Sequence, residues 1–317
     1  MVAAAIVSGV APEAALVGSA AASTVESFTL RRVAMVPAFL LYWAYSQAES
    51  VAWLVALLIG FSSQHGVFGQ HLCSLLKTRF AHAACSRPVL DDTKGAVVYL
   101  CNHRSWGDFW IDAAILGGTS FVSRLAVAPA IPFTALWGYL QGWMWFFNRN
   151  GKPKDGWLQW MTEFLRRQHS MFPNKGLVFY PEGTRSQTPF GNPIKHTGLN
   201  AIYNLGWPVQ VVITTNKERL MNERKCCVSI GEQLVSSVSD AIWPQQCTSA
   251  DAFVEAVEIA WTSTWTAAYS AVACKGLVQR SRALLPGAVQ GDGRRGSRVV
   301  KARIFTVLLI ILTVCWR

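Results

Sequence analysis

The sequence predicts an α/β fold: a mixed, mostly parallel sheet flanked by helices, with an N-terminal membrane-embedded helical hairpin. Three observations carry that reading. Between residues 85 and 240, short apolar runs of strand length alternate with segments of helical period, as strand–helix–strand units require. Ahead of them, from Val33 to Phe61, the chain is strongly apolar. The composition is 51% hydrophobic and 15% charged, with 14 tryptophans in 317 residues, whereas soluble domains carry about 25% charged residues. So apolar a chain suits contact with lipid as well as a buried core, and its length allows one large domain or two small ones.

The elements follow in order. Residues 1–32 form a low-complexity Ala- and Ser-rich segment whose acids, Glu13 and Glu26, and lack of a basic leader exclude a convincing signal peptide. Residues 33–84 read as membrane-anchoring helices. Gln47, Glu49 and Ser50 interrupt the apolar run, which leaves two readings. One is a single tilted span of 29 residues; the other is a hairpin of short helices, 33–46 and 51–62. A span needs about 20 apolar residues, and neither half reaches that. Arg31 and Arg32 before the segment, with Lys77 and Arg79 after it, favour a hairpin with both ends on the cytoplasmic side.

Within the α/β domain, 85–240, Ala96–Cys101 reads as a strand ending in a polar turn, and Phe109–Leu116 as a helix. Trp143–Phe147 is a further apolar run. Asp155–Ser170 is an amphipathic helix with Trp157, Trp160, Met161, Phe164 and Leu165 on one face. Gly176–Tyr180, Pro208–Thr214 and Cys226–Ile230 read as strands, with Lys195–Leu205 a helix among them. A helical extension, 241–285, follows, with Trp261 and Trp265 one turn apart; then come a basic linker, 286–303, and an apolar tail, 304–317, too short to span.

Charge and cysteines narrow the setting. Much of the net +11 lies between Lys275 and Arg303, where eight Lys/Arg face Asp292 alone. Such a stretch beside an apolar tail suits an anionic leaflet, with a solvated, disordered linker as the alternative, since Pro286–Arg298 is rich in Gly, Arg and polar residues; no nucleic-acid motif accompanies it. The eight cysteines (Cys73, Cys85, Cys101, Cys226, Cys227, Cys247, Cys274 and Cys315) contain no C-x-x-C pair, which reads as reduced thiols in a cytosol-facing protein.

Two constellations carry chemistry. In Asn102-His103-Arg104-Ser105-Trp106-Gly107-Asp108, at a strand–helix junction, His103 and Asp108 are five residues apart. On a continuous helix they would diverge by about 140°, but across a turn the carboxylate can fold back and accept a proton from one ring nitrogen. The other nitrogen is then basic and can take a proton from a substrate hydroxyl. In Tyr180-Pro181-Glu182-Gly183-Thr184-Arg185-Ser186, Gly183 permits an unusual backbone angle, Arg185 offers a planar fork suited to phosphate, and Glu182 could orient Arg185 or accept from a glycerol hydroxyl.

These blocks resemble the glycerol-phosphate and 1-acylglycerol-3-phosphate (lysophosphatidic acid) acyltransferase family. Its His-x4-Asp block is matched by His103 and Asp108, and its Glu-Gly-Thr-Arg block by Glu182, Gly183, Thr184 and Arg185, 79 residues after His103. Phe146-Phe147-Asn148-Arg149-Asn150 stands where the family carries an arginine for the acceptor's phosphate. Ile194-Lys195 and Pro208-Val209 resemble its downstream lysine and proline–aliphatic strand. The chain departs from the pattern at Arg124, where the family often has Lys, and at Gln210, in place of a second proline. The resemblance covers about 95–215.

It implies a general base, His103, oriented by Asp108, and substrate-binding roles for Arg149, Glu182, Gly183, Thr184, Arg185 and Lys195. It implies an acyl-CoA donor, a lysophosphatidic acid or related lysophospholipid acceptor, no metal or cofactor, backbone donors for the oxyanion, and an endoplasmic reticulum membrane with the site facing the cytosol. A CoA-independent transacylase and a non-catalytic lipid-binding protein of the same fold are the alternatives. Among the remaining candidates, Asp112, one turn after Asp108, lacks the company of further carboxylates that a metal pair needs. Ser105 lacks the G-x-S-x-G context of a nucleophile. His65, His71, His82, His169 and His196 read as structural or exposed.

Overall fold

A computed structural model describes residues 25–59, 65–92, 95–148, 155–173, 176–274, 278–281 and 285. Arg149, the linker 286–303 and the tail 304–317 lie outside the described residues.

Eight strands form the main sheet: β1 (Arg79–Ala83), β2 (Val98–Cys101), β3 (Ser120–Arg124), β4 (Met144–Phe147), β5 (Leu177–Phe179), β6 (Val209–Thr214), β9 (Gln233–Val238) and β10 (Val278–Ser281). The spatial order is β10-β1-β9-β6-β2-β5-β3-β4, and β7 (Met221–Asn222) with β8 (Cys227–Val228) makes a separate ribbon. From β6 to β4 every neighbouring pair is parallel. β9 runs antiparallel to β6, β1 parallel to β9, and β10 antiparallel to β1. The fold is therefore α/β with a mixed, mostly parallel sheet. Central parallel strands are covered on both faces, which is why β2 and β6 are buried at every position.

Helices cover both faces. On one lie α1 (Val25–Leu58), α2 (His65–Leu75), α3 (Asp108–Leu116) and α4 (Pro132–Gln141), where Phe68, Leu72, Trp110, Ile115 and Trp137 pack with Tyr99 and Phe121 of the sheet. On the other lie α5 (Trp157–Met171), α6 (His196–Leu205) and α8 (Ala250–Ala273), with Met161, Leu165, Ile202, Phe253 and Val257 against Val98, Leu100, Val209 and Val211. The strand alternation of period two thus feeds two cores. Each fully buried Leu, Ile or Phe contributes about 1.5–3 kcal/mol. α2 lies so close on α3 that a Cβ on Gly69 would stand 2.3 Å from the Trp110 carbonyl oxygen, so only glycine fits there. Gln210, where the resemblance leads one to expect proline, is buried in β6. Its amide accepts from Leu90 N and donates to the Pro88 and Ser239 carbonyls, tying the strand to its neighbouring segments.

Several expectations change. The polar residues at 47–50 do not break the first apolar segment: α1 is one helix of 34 residues, so the hairpin of 33–46 and 51–62 is replaced by α1 followed by α2. The reason is a tertiary contact. α4 starts without a side-chain cap of its own. Gln47 Oε1 accepts from the Phe133 and Thr134 N–H groups at 3.2 and 3.4 Å, while Gln47 Nε2 and Ser50 Oγ meet Thr134 Oγ1 at 2.9 and 2.8 Å. The polar side chains of α1 thus satisfy the orphan first-turn donors of α4. Among the described residues, no helix is long and apolar enough to cross a membrane. The sheet also extends past the 85–240 boundaries: Arg79–Ala83 is β1, and the helical run expected to reach Leu285 ends at Ala273, after which Val278–Ser281 pairs with β1.

Candidate active site

The site forms at the carboxyl ends of β2, β3, β4 and β5, the edge where parallel α/β sheets gather functional loops. β2 ends at Cys101, and Asn102 closes it: its amide donates to the Thr214 carbonyl and accepts from Thr214 N, extending the β2–β6 ladder by side chain. The turn that follows presents His103. Asp108 opens α3, where the positive helix end favours a carboxylate. Its Oδ2 accepts from His103 Nδ1 at 2.8 Å, Arg104 N at 2.6 Å and Ser105 N at 3.1 Å. Burial pushes this carboxyl up, but the Lys217 charge, the His103 contact and the Arg104 N–H outweigh it and hold Asp108 below the usual carboxylate range. With Nδ1 donating to Asp108, the imidazole's Nε2 carries the free lone pair. The Tyr180 ring stacks on the imidazole, centroids 4.2 Å apart and planes 16° from parallel.

The second block is joined to the first. Glu182 is fully buried, and its two oxygens accept from His103 N at 2.6 Å and Asn192 N at 2.8 Å. The side chain expected at a substrate hydroxyl or on Arg185 is placed instead as a backbone brace. Gly183 has φ +68°, and a Cβ there would lie 2.8 Å from Lys195 Nζ, so the turn brings Lys195 over the loop. Thr184 is exposed and its Oγ1 accepts from Asn192 Nδ2. Arg185 donates to Glu223 Oε1 at 2.5 Å and lies over the Trp106 ring at 5.4 Å; Glu223 Oε2 accepts from Trp106 N. Arg104 points away from the imidazole, donating to both oxygens of Glu218 and to the Thr188 carbonyl.

His103 opens on a cavity of about 650 Å³. Val122, Phe147, Trp157, Met161 and Phe179 from β3, β4, α5 and β5 give it apolar walls. Arg124, Arg185, Lys195 and Arg224, from the end of β3, the loop after β5, the start of α6 and the β7–β8 turn, supply cations. Arg124 also donates to the Gly183 carbonyl.

The cavity therefore gathers His103, Gly183, Thr184, Arg185 and Lys195, with Asp108 and Glu182 buried behind them. Ser105 is buried, donating to Asp108 and accepting from Gly107 N. Asp112 pairs with Lys217, whose Nζ lies 2.6 Å from Oδ1 and 2.9 Å from Oδ2, and accepts from Tyr180 at 2.9 Å. Among the described residues, no cluster of His, Cys, Asp or Glu could hold a metal ion. Sequence reasoning did not find Lys217, Glu223 or Arg224. Lys217 and its partner Asp112 are 105 residues apart, and Glu223 and Arg185 are 38 apart, so no local pattern marks them.

No family model and no curated protein matches the chain. Among solved structures it is similar to the crystal structure of the 1-acyl-sn-glycerophosphate (LPA) acyltransferase PlsC from Thermotoga maritima, with a TM-score of 0.48 and 15% identity over 63% of this chain and 76% of that one.

Proposed function

We propose that this chain is an acyltransferase at a membrane surface, moving a fatty acyl group from acyl-CoA to a hydroxyl of lysophosphatidic acid or a related lysophospholipid in phospholipid biosynthesis or remodelling. One observation carries the reading: an imidazole oriented by a buried carboxylate opens on a cavity with apolar walls and four cations. An alcohol is a poor nucleophile until its proton is removed. His103 Nε2 takes that proton, the oxygen attacks the thioester carbonyl, the C–O bond forms, and the C–S bond breaks. The CoA thiolate leaves, and the proton on Nε2 passes to it. The apolar walls suit an acyl chain, while Arg185 and the neighbouring cations suit the acceptor's phosphate.

The outer face of α1 supports the membrane setting. Its inward positions Phe39, Tyr42, Ser46 and Ser50 are buried at helical spacing, yet the opposite side is also apolar: Leu40, Leu41, Val55 and Leu58 are 53–71% exposed. An apolar patch of that kind suits an interface, and a bilayer is the partner a lipid substrate implies. The endoplasmic reticulum, with the site facing the cytosol, is the location we propose.

Purified enzyme offered a panel of lysolipids and thioesters, with products read by mass spectrometry, tests the reading. Acyl transfer that requires the thioester supports it. Transfer from a phospholipid without CoA would make the chain a transacylase, and lipid binding with no transfer from any donor would make it non-catalytic.

A further inference from the structure

Behind the proposed base lies a second layer that the chemistry above does not use. Lys217, at the start of α7 (Lys217–Leu220), and Asp112, one turn along α3 from Asp108, are both 0% exposed. Besides Asp112, Lys217 Nζ donates to the Asn102 carbonyl at 3.0 Å, immediately before His103. The Tyr180 hydroxyl donates to Asp112 while its ring stacks on the imidazole. A buried ammonium is costly unless fully paired, and replacing such a pair by apolar residues is often neutral or stabilising, so stability alone is a weak reason for it.

We infer that Lys217 and Asp112 set the charge against which His103 takes up and returns the acceptor's proton. The inference rests on the proposed role of His103 as base. Asp108 contacts the imidazole, Tyr180 stacks on it and Glu182 holds its backbone N–H; Asp112 and Lys217 lie one bond further back, through Tyr180 and the Asn102 carbonyl, with Cys101 and the Arg104–Glu218 pair near them, while Arg124, Arg185, Lys195 and Arg224 line the cavity on its open side. With Asp108, Asp112 and Glu182 as carboxylates and Lys217 as an ammonium, the layer carries net negative charge. The imidazolium formed by proton uptake therefore meets surplus negative charge instead of standing as a lone buried cation, and Asp112 and Lys217 set the size of that surplus. Burial pushes the Asp112 carboxyl up against the pull of the Lys217 ammonium, and the neighbouring Asp108 adds to the rise. Lys217 remains protonated: burial pulls it down, and the two carboxylates more than restore it. Lys217 and Asp112 are positioning residues, since neither touches the cavity.

Charge replacement tests this. Asp112→Asn keeps an oxygen for Tyr180 but leaves the ammonium uncompensated, which disfavours the imidazolium. The ascending limb of kcat/KM against pH is expected to move to lower pH by about one unit or more, and kcat to fall. The double variant Asp112→Asn/Lys217→Met removes both charges and is expected to return the limb to its original position. Lys217→Arg keeps the charge and is expected to keep the midpoint even where its melting temperature falls. The same order is expected in the NMR titration of the His103 ring, which needs no turnover. If all variants share one midpoint, or midpoints follow melting temperature instead of charge, the inference is overturned. A wild-type chain that transfers no acyl group would sink the functional reading, and the ring titration would still decide this one.

Discussion

Replacing Glu182 by Gln removes one of the two carboxylate oxygens that join the His103 turn to the loop after β5. The side chain is fully buried and accepts two backbone N–H groups, at 2.6 and 2.8 Å. The amide keeps one acceptor and sets an NH2 against the other donor, so one charge-assisted bond is lost and a buried N–H is left unmade. Hydrogen bonds to charged groups contribute about 1.5–3 kcal/mol, and relief from burying a charge offsets part of this, leaving a net cost of about 2 kcal/mol. For a protein of this size that lowers the melting temperature by about 3 °C. Because the brace holds His103 and not the acceptor, kcat should fall while KM for the lysolipid stays within about twofold. The assay is a thermal melt together with initial rates over a range of acceptor concentrations. An unchanged melting temperature with a raised KM would return Glu182 to the substrate and refute the brace.

Three further outcomes follow from the geometry. Asp108 sits below its ordinary range, so the stability it contributes is present above the unfolded carboxylate value near 3.9 and is lost as pH falls through the lower folded value. Denaturant melts should therefore show a wild-type advantage over Asp108→Asn that is constant from about pH 7 to 5 and shrinks below about pH 4; an advantage that grows on acidification contradicts the assignment. Gln47→Leu should lower stability by about 1–2 kcal/mol by uncapping α4, and a neutral or stabilising result in melts would mean that the α1–α4 contact is not what the polar residues serve. Arg185→Lys loses the planar fork and its stacking on Trp106, so KM for anionic acceptors should rise about tenfold or more; an equal KM would remove Arg185 from phosphate binding.

Legibility in the sequence followed the range of the interactions. β2, α3, α5, β5, α6 and β6 were readable because period two or period 3.6 fills both cores with nearby residues. The His103–Asp108 contact is five residues long in sequence and was equally open to reading. β1 and β10 were not, because Arg79-Phe-Ala-His-Ala83 and Val278-Gln-Arg-Ser281 are short and mixed in polarity and owe their state to strand partners far along the chain. Gln47 looked like an interruption for the same reason: its partner Thr134 is 87 residues away. Lys217 was invisible as a site residue, since a lone lysine reads as surface until Asp112 and Asn102 close around it.

His103, as the proposed base of an acyl transfer, is open to a direct test. Radiolabelled oleoyl-CoA and lysophosphatidic acid, supplied in mixed micelles to purified wild-type chain and to His103→Ala, measure it directly. Labelled phosphatidic acid is expected from the wild type and a rate lower by about 10²-fold or more from the variant, with a cooperative melt showing that the variant is folded. A variant that transfers at the wild-type rate would contradict it.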